Sequence, residues 1–343
     1  MGEKVFISGA SGFIAQHIVK LLLETGYTVI GTVRTKEKGE KLKNLINFKE
    51  FNYVIIPDIS VPGSFDDAFK KHNDIDYVIH SASPFTYTTS NPDKDLIEPA
   101  LKGCKEILNS SYKNLKNLKR FIITSSDAAI YSNFDEKNNK LKFDENSWNL
   151  TPRELGSNDP VTAYYISKSL AELETVNFRK TQNPNFKFIS INPSYVFGPQ
   201  AYLCDPNQIN ESNQLISELL KKTQPKDNFD NEIGGFIDVI DVAKTHVFAI
   251  QNNDVINQRL FLNNGHFSTQ MILDIINLNF PKLNLIKGKP GTGQEDIKQL
   301  AQVDNNKTKS LLPWTFTSLN QTVIDVVNQI LDVQNKNDDN SKL

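Results

Sequence analysis

The chain has few cysteines and no long apolar run. Its 343 residues include two cysteines, Cys104 and Cys204, which lie far apart and outside any Cys-x-x-Cys pair or histidine cluster. We therefore expect neither a disulfide framework nor a bound metal ion. No segment approaches the roughly 18 apolar residues of a membrane span, and the N-terminus enters a strand pattern without a signal peptide. These absences predict a cytoplasmic protein that does not enter a membrane.

The chain also has no excess of charge of either sign. Lysine and arginine total 38 and aspartate and glutamate total 40, which gives a formal net charge of −2. Proteins that bind nucleic acid or an anionic membrane usually carry a broad basic surface, and this composition supplies none. We expect a small molecule, rather than a nucleic acid or a membrane, to be the partner.

Apolar strand-like runs alternate with helical patterns in the first part of the chain. The predicted strands are 4–8, 27–32, 53–56, 77–80, 120–125 and 187–192. The predicted helices are 13–24, 36–47, 64–71, 95–113 and 162–180. This alternation is typical of an α/β protein in which a doubly wound parallel sheet is connected by crossover helices.

The regular alternation weakens after Pro193. Connections rich in Asn and Gln separate short elements at 235–239, 242–251 and 259–262, and helical patterns return at 269–278, 305–311 and 319–333. We expect residues 1–193 to form the first domain and residues 194–333 to form mainly a smaller lobe, with some elements returning to the first domain. Residues 334–343 are expected to be a frayed polar tail.

A glycine-rich turn follows the first predicted strand, with the sequence SGASGFIA at residues 8–15. Glycines permit a tight turn and a close approach of the backbone, and the N-terminus of the next helix offers free N–H groups to a pyrophosphate. This position in the first βα unit favours dinucleotide binding over a purely structural turn. The candidate cofactor-binding residues here are Gly9, Ser11, Gly12, Phe13 and Ile14.

The end of the second predicted strand indicates which dinucleotide is bound. An NAD site usually has an acidic residue there for the ribose 2′-hydroxyl, but residues 31–36 read GTVRTK and contain no carboxylate. The Arg34 guanidinium can pair with a 2′-phosphate, and Lys38 adds positive charge nearby. We therefore expect NADPH/NADP+; the alternative is that these cations form a solvated loop.

Two further strand ends supply candidate cofactor contacts. Asp58 and Ile59 follow the third predicted strand, where they could contact the adenine, although Asp58 could equally cap the next helix. The small residues Ser81, Ala82 and Ser83 follow the fourth strand, where the backbone must pass close to a ribose. His80 is interpreted as a packed strand histidine rather than a catalytic base.

Tyr164 and Lys168 lie four residues apart in a predicted helix, with the hydroxyl residues 124–126 upstream at a strand end. The i, i+4 spacing places the phenol and the ammonium on one helix face. A free tyrosine has a pKa of about 10. We expect Lys168 and a positively charged nicotinamide ring to lower the pKa of Tyr164 and make it a usable acid. Alone, the Tyr-x-x-x-Lys pattern is common on solvated helices.

Together these motifs resemble those of an extended short-chain dehydrogenase/reductase. The residues concerned are SGASGFIAQH at 8–17, VR at 33–34, DI at 58–59, SASP at 81–84, TSS at 124–126, YxxxK at 164–168 and NPSYVFGP at 192–199. More narrowly, the chain resembles the fungal NADPH-dependent methylglyoxal and carbonyl reductases related to plant dihydroflavonol reductase. The resemblance extends from Val5 to about Leu331.

The resemblance implies a Rossmann domain over residues 1–193, a C-terminal substrate lobe, and NADPH-dependent reduction of aldehydes and ketones. It implies that Ser126 orients the carbonyl, Tyr164 donates the proton, and Lys168 lowers the tyrosine pKa while binding the nicotinamide ribose. It also adds Thr124, Pro193 and Val196 to the expected cofactor contacts. No metal is needed, and we expect a monomer or a homodimer.

The chain departs from the family pattern at two positions. Ala15 replaces the third glycine of the turn, a minor change for helix packing. Asp127 directly follows Ser126, and its carboxylate either alters substrate preference or points away as a loop residue. Aromatic residues beyond the strand ends complete the candidate substrate pocket, and residues 201–229 are expected to fold over it. The candidate substrate residues are Phe85, Asp127, Tyr131 and Tyr195.

Two other functions share parts of this pattern. A nucleotide-sugar epimerase or dehydratase would have the same fold and Tyr-Lys pair but would keep a tightly bound NAD, which the Arg34 region argues against. A non-enzymatic NADP-sensing regulator would have no use for the serine, tyrosine and lysine together.

Overall fold

A computed structural model gives the architecture, and it describes residues 2–83, 88–202, 209–224 and 226–340, with side chains to residue 334. The strands are β1 Lys4–Ser8, β2 Thr28–Val33, β3 Phe51–Ile55, β4 Tyr77–His80, β5 Arg120–Thr124, β6 Lys142–Asp144, β7 Lys187–Pro193, β8 Tyr195–Phe197, β9 Ile233–Asp238, β10 Arg259–Leu262, β11 His266–Ser268 and β12 Gln302–Asp304. The α-helices are α1 Phe13–Glu24, α2 Lys36–Ile46, α3 Asp66–Lys71, α4 Glu98–Asn114, α5 Pro160–Gln182, α6 Glu211–Leu219, α7 Val239–Gln251, α8 Thr269–Asn279, α9 Gly293–Asp296, α10 Asn306–Leu311 and α11 Leu319–Asn340.

Seven parallel strands form the central sheet, in the order β10-β7-β5-β4-β1-β2-β3. The strands are apolar on both faces because helices cover both faces of such a sheet. Within β1, Val5 and Ile7 point into a cluster that includes residues of α1 and α7. Phe6 points the other way, into a cluster with residues of α4. The expected Rossmann-type α/β fold is confirmed.

The chain after Pro193 contributes to both parts of the molecule. Strands β8, β9 and β11 form a small sheet, and helices α8 and α11 pack with them around a separate apolar cluster that includes Phe197, Phe267 and Val323. In contrast, β10 pairs in parallel with β7, and α7 packs against α1 on the central sheet. The second half of the chain therefore completes the first sheet.

All six strands predicted in the first part of the chain are present, with small shifts at their ends. The short strands β6, β8, β11 and β12 have no counterpart in the sequence prediction, because three residues are too few for a visible alternation. Helix α11 continues to Asn340, whereas the sequence pattern predicted a frayed tail from residue 334. In the ranges described above, no helix is long and apolar enough to span a bilayer.

Candidate active site

A cavity of about 440 Å³ opens at the carboxyl ends of the central strands. In an open parallel sheet this edge is where ligands bind. Most residues expected from the sequence to contact cofactor or substrate line this cavity: Gly9, Gly12, Phe13, Ile14, Ser81, Ser83, Thr124, Ser126, Asp127, Tyr164, Lys168, Pro193, Tyr195 and Val196. Phe85 lies outside the described residues. The candidates that do not line the cavity are Ser11, Arg34, Lys38, Asp58, Ile59, Ala82 and Tyr131.

The glycine-rich turn is held against the end of β4. Gly9 has a φ of +71°, and a Cβ on it would lie 3.0 Å from the Cα of Ala82. Its N–H donates to the Thr32 side chain at 2.9 Å. Gly12 then caps α1 without a side chain, so the first N–H groups of the helix face the cavity that Gly12 lines. These features fit a pyrophosphate group.

His80 has a structural role at the floor of this region. The Ser8 hydroxyl accepts hydrogen bonds from the N–H groups of Ser81 and Ala82 and contacts His80 Nδ1 at 2.8 Å. Burial lowers the pKa of His80 to about 3, with a smaller effect from Lys168. The imidazole is therefore neutral and accepts the proton of Ser8, which agrees with its interpretation as a packed strand histidine.

The residues expected at the adenosine end do not line the cavity, and most of them are exposed. Arg34 directly follows β2 and is exposed, as are Ser11, Lys38 and Asp58. The Thr35 side chain caps α2 by accepting a hydrogen bond from the Lys38 N–H at 3.3 Å. Asp58 accepts hydrogen bonds from the hydroxyl and N–H of Ser60, which with Arg34 lower its pKa. Rather than capping α3, it forms a local turn beside the Arg34 cation.

Two other predicted cofactor residues are held by contacts with helices α4 and α7. Ile59 packs against α4, where a Cβ on Gly103 would lie 2.7 Å from its Cδ1. The Thr124 hydroxyl lies 2.8 Å from His246 Nε2. Because His246 Nδ1 contacts the Val242 carbonyl at 2.8 Å and must donate to it, Nε2 accepts the Thr124 proton. Helix α7 thus anchors the end of β5.

Ser126, Tyr164 and Lys168 converge on one side of the cavity. Tyr164 and Lys168 lie one turn apart on α5, with the lysine Nζ 5.8 Å from the centre of the tyrosine ring. Ser126 begins a 3₁₀ turn, where its Oγ accepts from the Ala128 N–H at 3.2 Å and donates to Asp127 Oδ1 at 3.0 Å. A hydrogen bond between Ser126 and the Tyr164 side chain lowers the tyrosine pKa, against the larger effect of burial.

Burial shifts the pKa values of both Tyr164 and Lys168. Both Tyr164 and Lys168 are partly exposed at the cavity wall but are surrounded by protein on most sides. Burial raises the pKa of Tyr164 to about 12, with further contributions from Asp127 and Glu211. Burial lowers the pKa of Lys168 to about 8, although Glu172 opposes this effect. In the protein alone, burial therefore raises the pKa of Tyr164, and the lowering expected from Lys168 together with a bound nicotinamide stays a prediction.

A buried polar network fixes the Ser125–Ser126 segment. Glu172 on α5 is fully buried and pairs with Arg259 of β10, with Oε1 and Nε 2.5 Å apart. Its other oxygen accepts from Ser125 at 2.5 Å and from Asn192 at 2.7 Å. Asn192 also donates to the Ser126 carbonyl at 3.0 Å. The sequence analysis missed this network because its members are far apart in the chain and form no motif.

The substrate end of the cavity contains more charge than the sequence analysis predicted. Asp127 lines the cavity, and its Oδ2 accepts a hydrogen bond from Tyr131 at 2.6 Å. Tyr131 itself is buried behind Asp127, between Phe143 and Phe261. Glu136 also lines the cavity and accepts from Tyr165 at 2.9 Å. No local pattern in the sequence distinguishes Glu136.

The sheet, the glycine-rich turn and the Ser-Tyr-Lys group define a dinucleotide-binding protein of the Rossmann class. The family model described as NAD dependent epimerase/dehydratase family matches residues 5–263. The chain therefore belongs to this family, in the extended short-chain dehydrogenase/reductase group that its motifs resemble.

The chain is also similar to individual proteins with more specific descriptions. The NADPH-dependent methylglyoxal reductase GRE2 of Saccharomyces cerevisiae is 42% identical over 95% of this chain and 98% of its own length. The putative NADPH-dependent methylglyoxal reductase GRP2 of Candida albicans is 41% identical over the same shares. The crystal structure of yeast methylglyoxal/isovaleraldehyde reductase Gre2 complexed with NADPH superposes with a TM-score of 0.92 at 40% identity, covering 97% of this chain and 99% of that chain.

Proposed function

We propose that this protein is an NADPH-dependent reductase of aldehydes and ketones. The observation that carries the proposal is the convergence of Ser126, Tyr164 and Lys168 on the cavity that the glycine-rich turn opens into. The absence of a carboxylate at the end of β2 and the exposed Arg34 beside Asp58 support NADPH over NADH. The activities of the similar proteins support the same reaction.

The residues around the cavity suit binding of NADPH. The Gly9 turn and the α1 N-terminus would hold the pyrophosphate, Arg34 and Lys38 the 2′-phosphate, and Asp58 and Ile59 the adenine. Ser81, Ala82, Ser83, Thr124, Pro193 and Val196 would border the ribose and nicotinamide, and Lys168 would bind the ribose hydroxyls. Bound NADPH supplies the hydride for the carbonyl carbon.

The protein's task is to position the carbonyl and to supply a proton to its oxygen. We propose that the Tyr164 hydroxyl donates that proton as negative charge grows on the oxygen. A pKa of about 12 keeps this hydroxyl protonated at neutral pH, so the acid is ready before the reaction. The hydrogen bond between Ser126 and Tyr164 orients the phenol, and the Lys168 cation favours the phenolate that remains.

The proposal is tested by mixing purified protein with NADPH and a panel of carbonyl compounds: methylglyoxal, isovaleraldehyde and an aryl ketone. We expect the absorbance of reduced nicotinamide to fall, and to fall more slowly with NADH. A protein that binds NADPH but consumes none with any compound would support an NADP-sensing regulator. A protein that retains NAD tightly through purification would support an epimerase or dehydratase.

We also propose that the protein works in the cytoplasm as a monomer or a homodimer, as expected from the sequence. Fluorescence microscopy of the tagged chain and sedimentation of the purified protein test these two points. Membrane association or a larger assembly would contradict them.

A further inference from the structure

The proposed reaction leaves a charged group at the substrate end of the cavity without a role. Glu136 lines the cavity together with Asp127 and Glu211. Among the described residues that line it, Lys168 is the one cation, and this lysine is close enough to His80, at the floor of the cofactor side, to lower its pKa. Among the described lining residues, the substrate side therefore carries acidic groups and no cation of its own.

Glu136 is fixed in place with one oxygen available. The Tyr165 hydroxyl donates to its Oε2 at 2.9 Å, and the Tyr165 ring lies 6.1 Å from that of Tyr164. Within the described parts of the chain, no hydrogen bond reaches Oε1. Gly234 lines the cavity beside this oxygen, and a Cβ at that position would lie 3.3 Å from it. Glycine therefore leaves the space in front of Oε1 open.

The neighbouring cavity has the same sign of charge. It shares Tyr195 and Glu211 with the active-site cavity and adds Glu218, Asp230 and Glu232, against the single cation Lys222 among its described lining residues. A cleft lined by one sign of charge concentrates ligands of the opposite sign. This neighbouring cavity therefore favours cations.

We propose that Glu136 selects carbonyl substrates that carry a positively charged substituent. This inference rests on the proposed reductase function and specifies its substrate class. A carboxylate at the wall of a partly enclosed cavity attracts an ammonium group more strongly than it would in water. The same carboxylate, with Asp127 beside it, repels oxo acids.

The protonation of Glu136 gives the proposal a pH dependence. Among the described residues, the titratable and charged groups that interact with Glu136 are Tyr165 on α5, Asp127 on the 3₁₀ turn, the neighbouring Tyr131 and the adjacent Lys137. Burial and Asp127 raise the pKa of Glu136 to about 7, while the hydrogen bond from Tyr165 and the charge of Lys137 oppose the rise. Because the carboxylate is ionised above its pKa, the preference for a cation should grow as pH rises from 6 to 8.

An isosteric pair of ketones tests the role of the charge. Acetonyltrimethylammonium carries a permanent positive charge, and 4,4-dimethylpentan-2-one has the same shape without it. The ratio of their kcat/KM values, cation over neutral, is measured with NADPH in the wild-type protein and in Glu136→Gln. We expect the ratio to fall about tenfold in the variant. Because both proteins see the same two ketones, the intrinsic reactivity of each ketone cancels.

The matched control is Asp67→Asn, which removes a carboxylate whose side chain is 99% exposed on α3. This control should keep the wild-type ratio. An unchanged ratio in Glu136→Gln would overturn the inference. If that variant does not bind NADPH, the wild-type ratio at pH 6 and pH 8 decides: a rise supports the role of Glu136, and a flat profile overturns it. If the wild-type protein reduces neither of the two ketones and does not reduce isovaleraldehyde, the proposed reductase function would be overturned instead.

Discussion

The Tyr164 hydroxyl is the group on which the proposed chemistry depends most directly. Replacement by phenylalanine keeps the ring against Tyr165 but removes the proton that would go to the carbonyl oxygen. We predict that Tyr164→Phe lowers kcat by about 100-fold or more, the usual scale for a positioned general acid. Binding of NADPH, followed by fluorescence titration, should stay near the wild-type value.

The control for this variant is Tyr112→Phe, which removes a hydroxyl from a 45% exposed tyrosine on α4. That protein should turn over at the wild-type rate. Turnover near the wild-type rate in Tyr164→Phe itself would remove the assignment of the proton donor.

Arg34 should determine the choice between the two nicotinamide cofactors. Its exposed guanidinium follows a strand that ends without a carboxylate, so it can form a bidentate pair with a 2′-phosphate. We predict that Arg34→Asp weakens NADPH binding by about tenfold or more, on the scale of one charge-assisted pair, and leaves NADH binding nearly unchanged. The measurement is the dissociation constant of each nucleotide by calorimetry.

Lys244→Asp makes a charge reversal on the exposed face of α7 and is the matched control. It should leave the ratio of the two dissociation constants as in the wild type. If Arg34→Asp also keeps the wild-type ratio of the two dissociation constants, another residue recognises the 2′-phosphate.

At the scale of single residues, the sequence was sufficient to propose the residues that form local motifs. The glycine-rich turn, Arg34, Ser126 and the Tyr164–Lys168 pair could each be proposed because their spacing has a physical reason. Glu136 could not be proposed, since it reaches the cavity only through the packing of the chain around α5. The direction of the Tyr164 pKa was also beyond the sequence, because the degree of burial decides it.

Among the elements, the turn between β1 and α1 tolerates substitution poorly. Gly9 has a φ of +71°, and an added Cβ would meet Ala82. We predict that Gly9→Ala lowers the free energy of unfolding by about 1–2 kcal/mol, the cost of a left-handed conformation. It should also weaken NADPH binding, because the added Cβ pushes the turn away from Ala82. Thermal unfolding with and without NADPH measures both effects.

Gly26 gives a matched control for this turn. Its φ of +89° carries a similar backbone cost, but an added Cβ meets nothing within 4 Å. Gly26→Ala should therefore lose stability and keep the full thermal shift caused by NADPH. An equal thermal shift in Gly9→Ala would show that close packing against Ala82 does not position the nucleotide.

The elements that the sequence predicted well are those with a clear apolar pattern of their own. Helix α1 begins and ends at the predicted residues, and β1 and β4 do also. The three-residue strands of the second half were missed because pairing with distant partners, rather than local pattern, creates them. Strand β10 was visible as a short apolar element, but its place at the edge of the central sheet depends on pairing with β7.

For the molecule as a whole, the Arg259–Glu172 pair joins the two halves of the chain. Loss of one partner leaves an uncompensated buried charge. We predict that Arg259→Leu lowers the free energy of unfolding by about 3–5 kcal/mol, measured by urea denaturation. Because β10 belongs to the central sheet, circular dichroism and tryptophan fluorescence should report one common transition.

The control is Arg153→Leu, which removes a pair with Asp93 whose side chains are 41% and 35% exposed. This variant should lose no more than about 1 kcal/mol. A similarly small loss in Arg259→Leu, or two separate transitions, would contradict the view that the pair holds the halves together.

The overall class could be predicted because alternating strands and helices permit few topologies. The assignment of α7 and β10 to the central sheet could not be predicted, because their own residues do not indicate which edge or face of the sheet they join. Their position follows from the apolar surfaces that α1 and β7 leave to be covered.

The attachment of β10 to β7 also affects the order of events during synthesis. The glycine-rich turn and the Ser-Tyr-Lys group have already left the ribosome when residue 259 is still in the exit tunnel. At that stage Glu172 has not yet met its partner Arg259. We expect nascent chains to acquire nucleotide only near the end of translation. Retention of ribosome-bound chains that stop before Arg259 on an immobilised-NADP resin would show that the early segment is competent on its own.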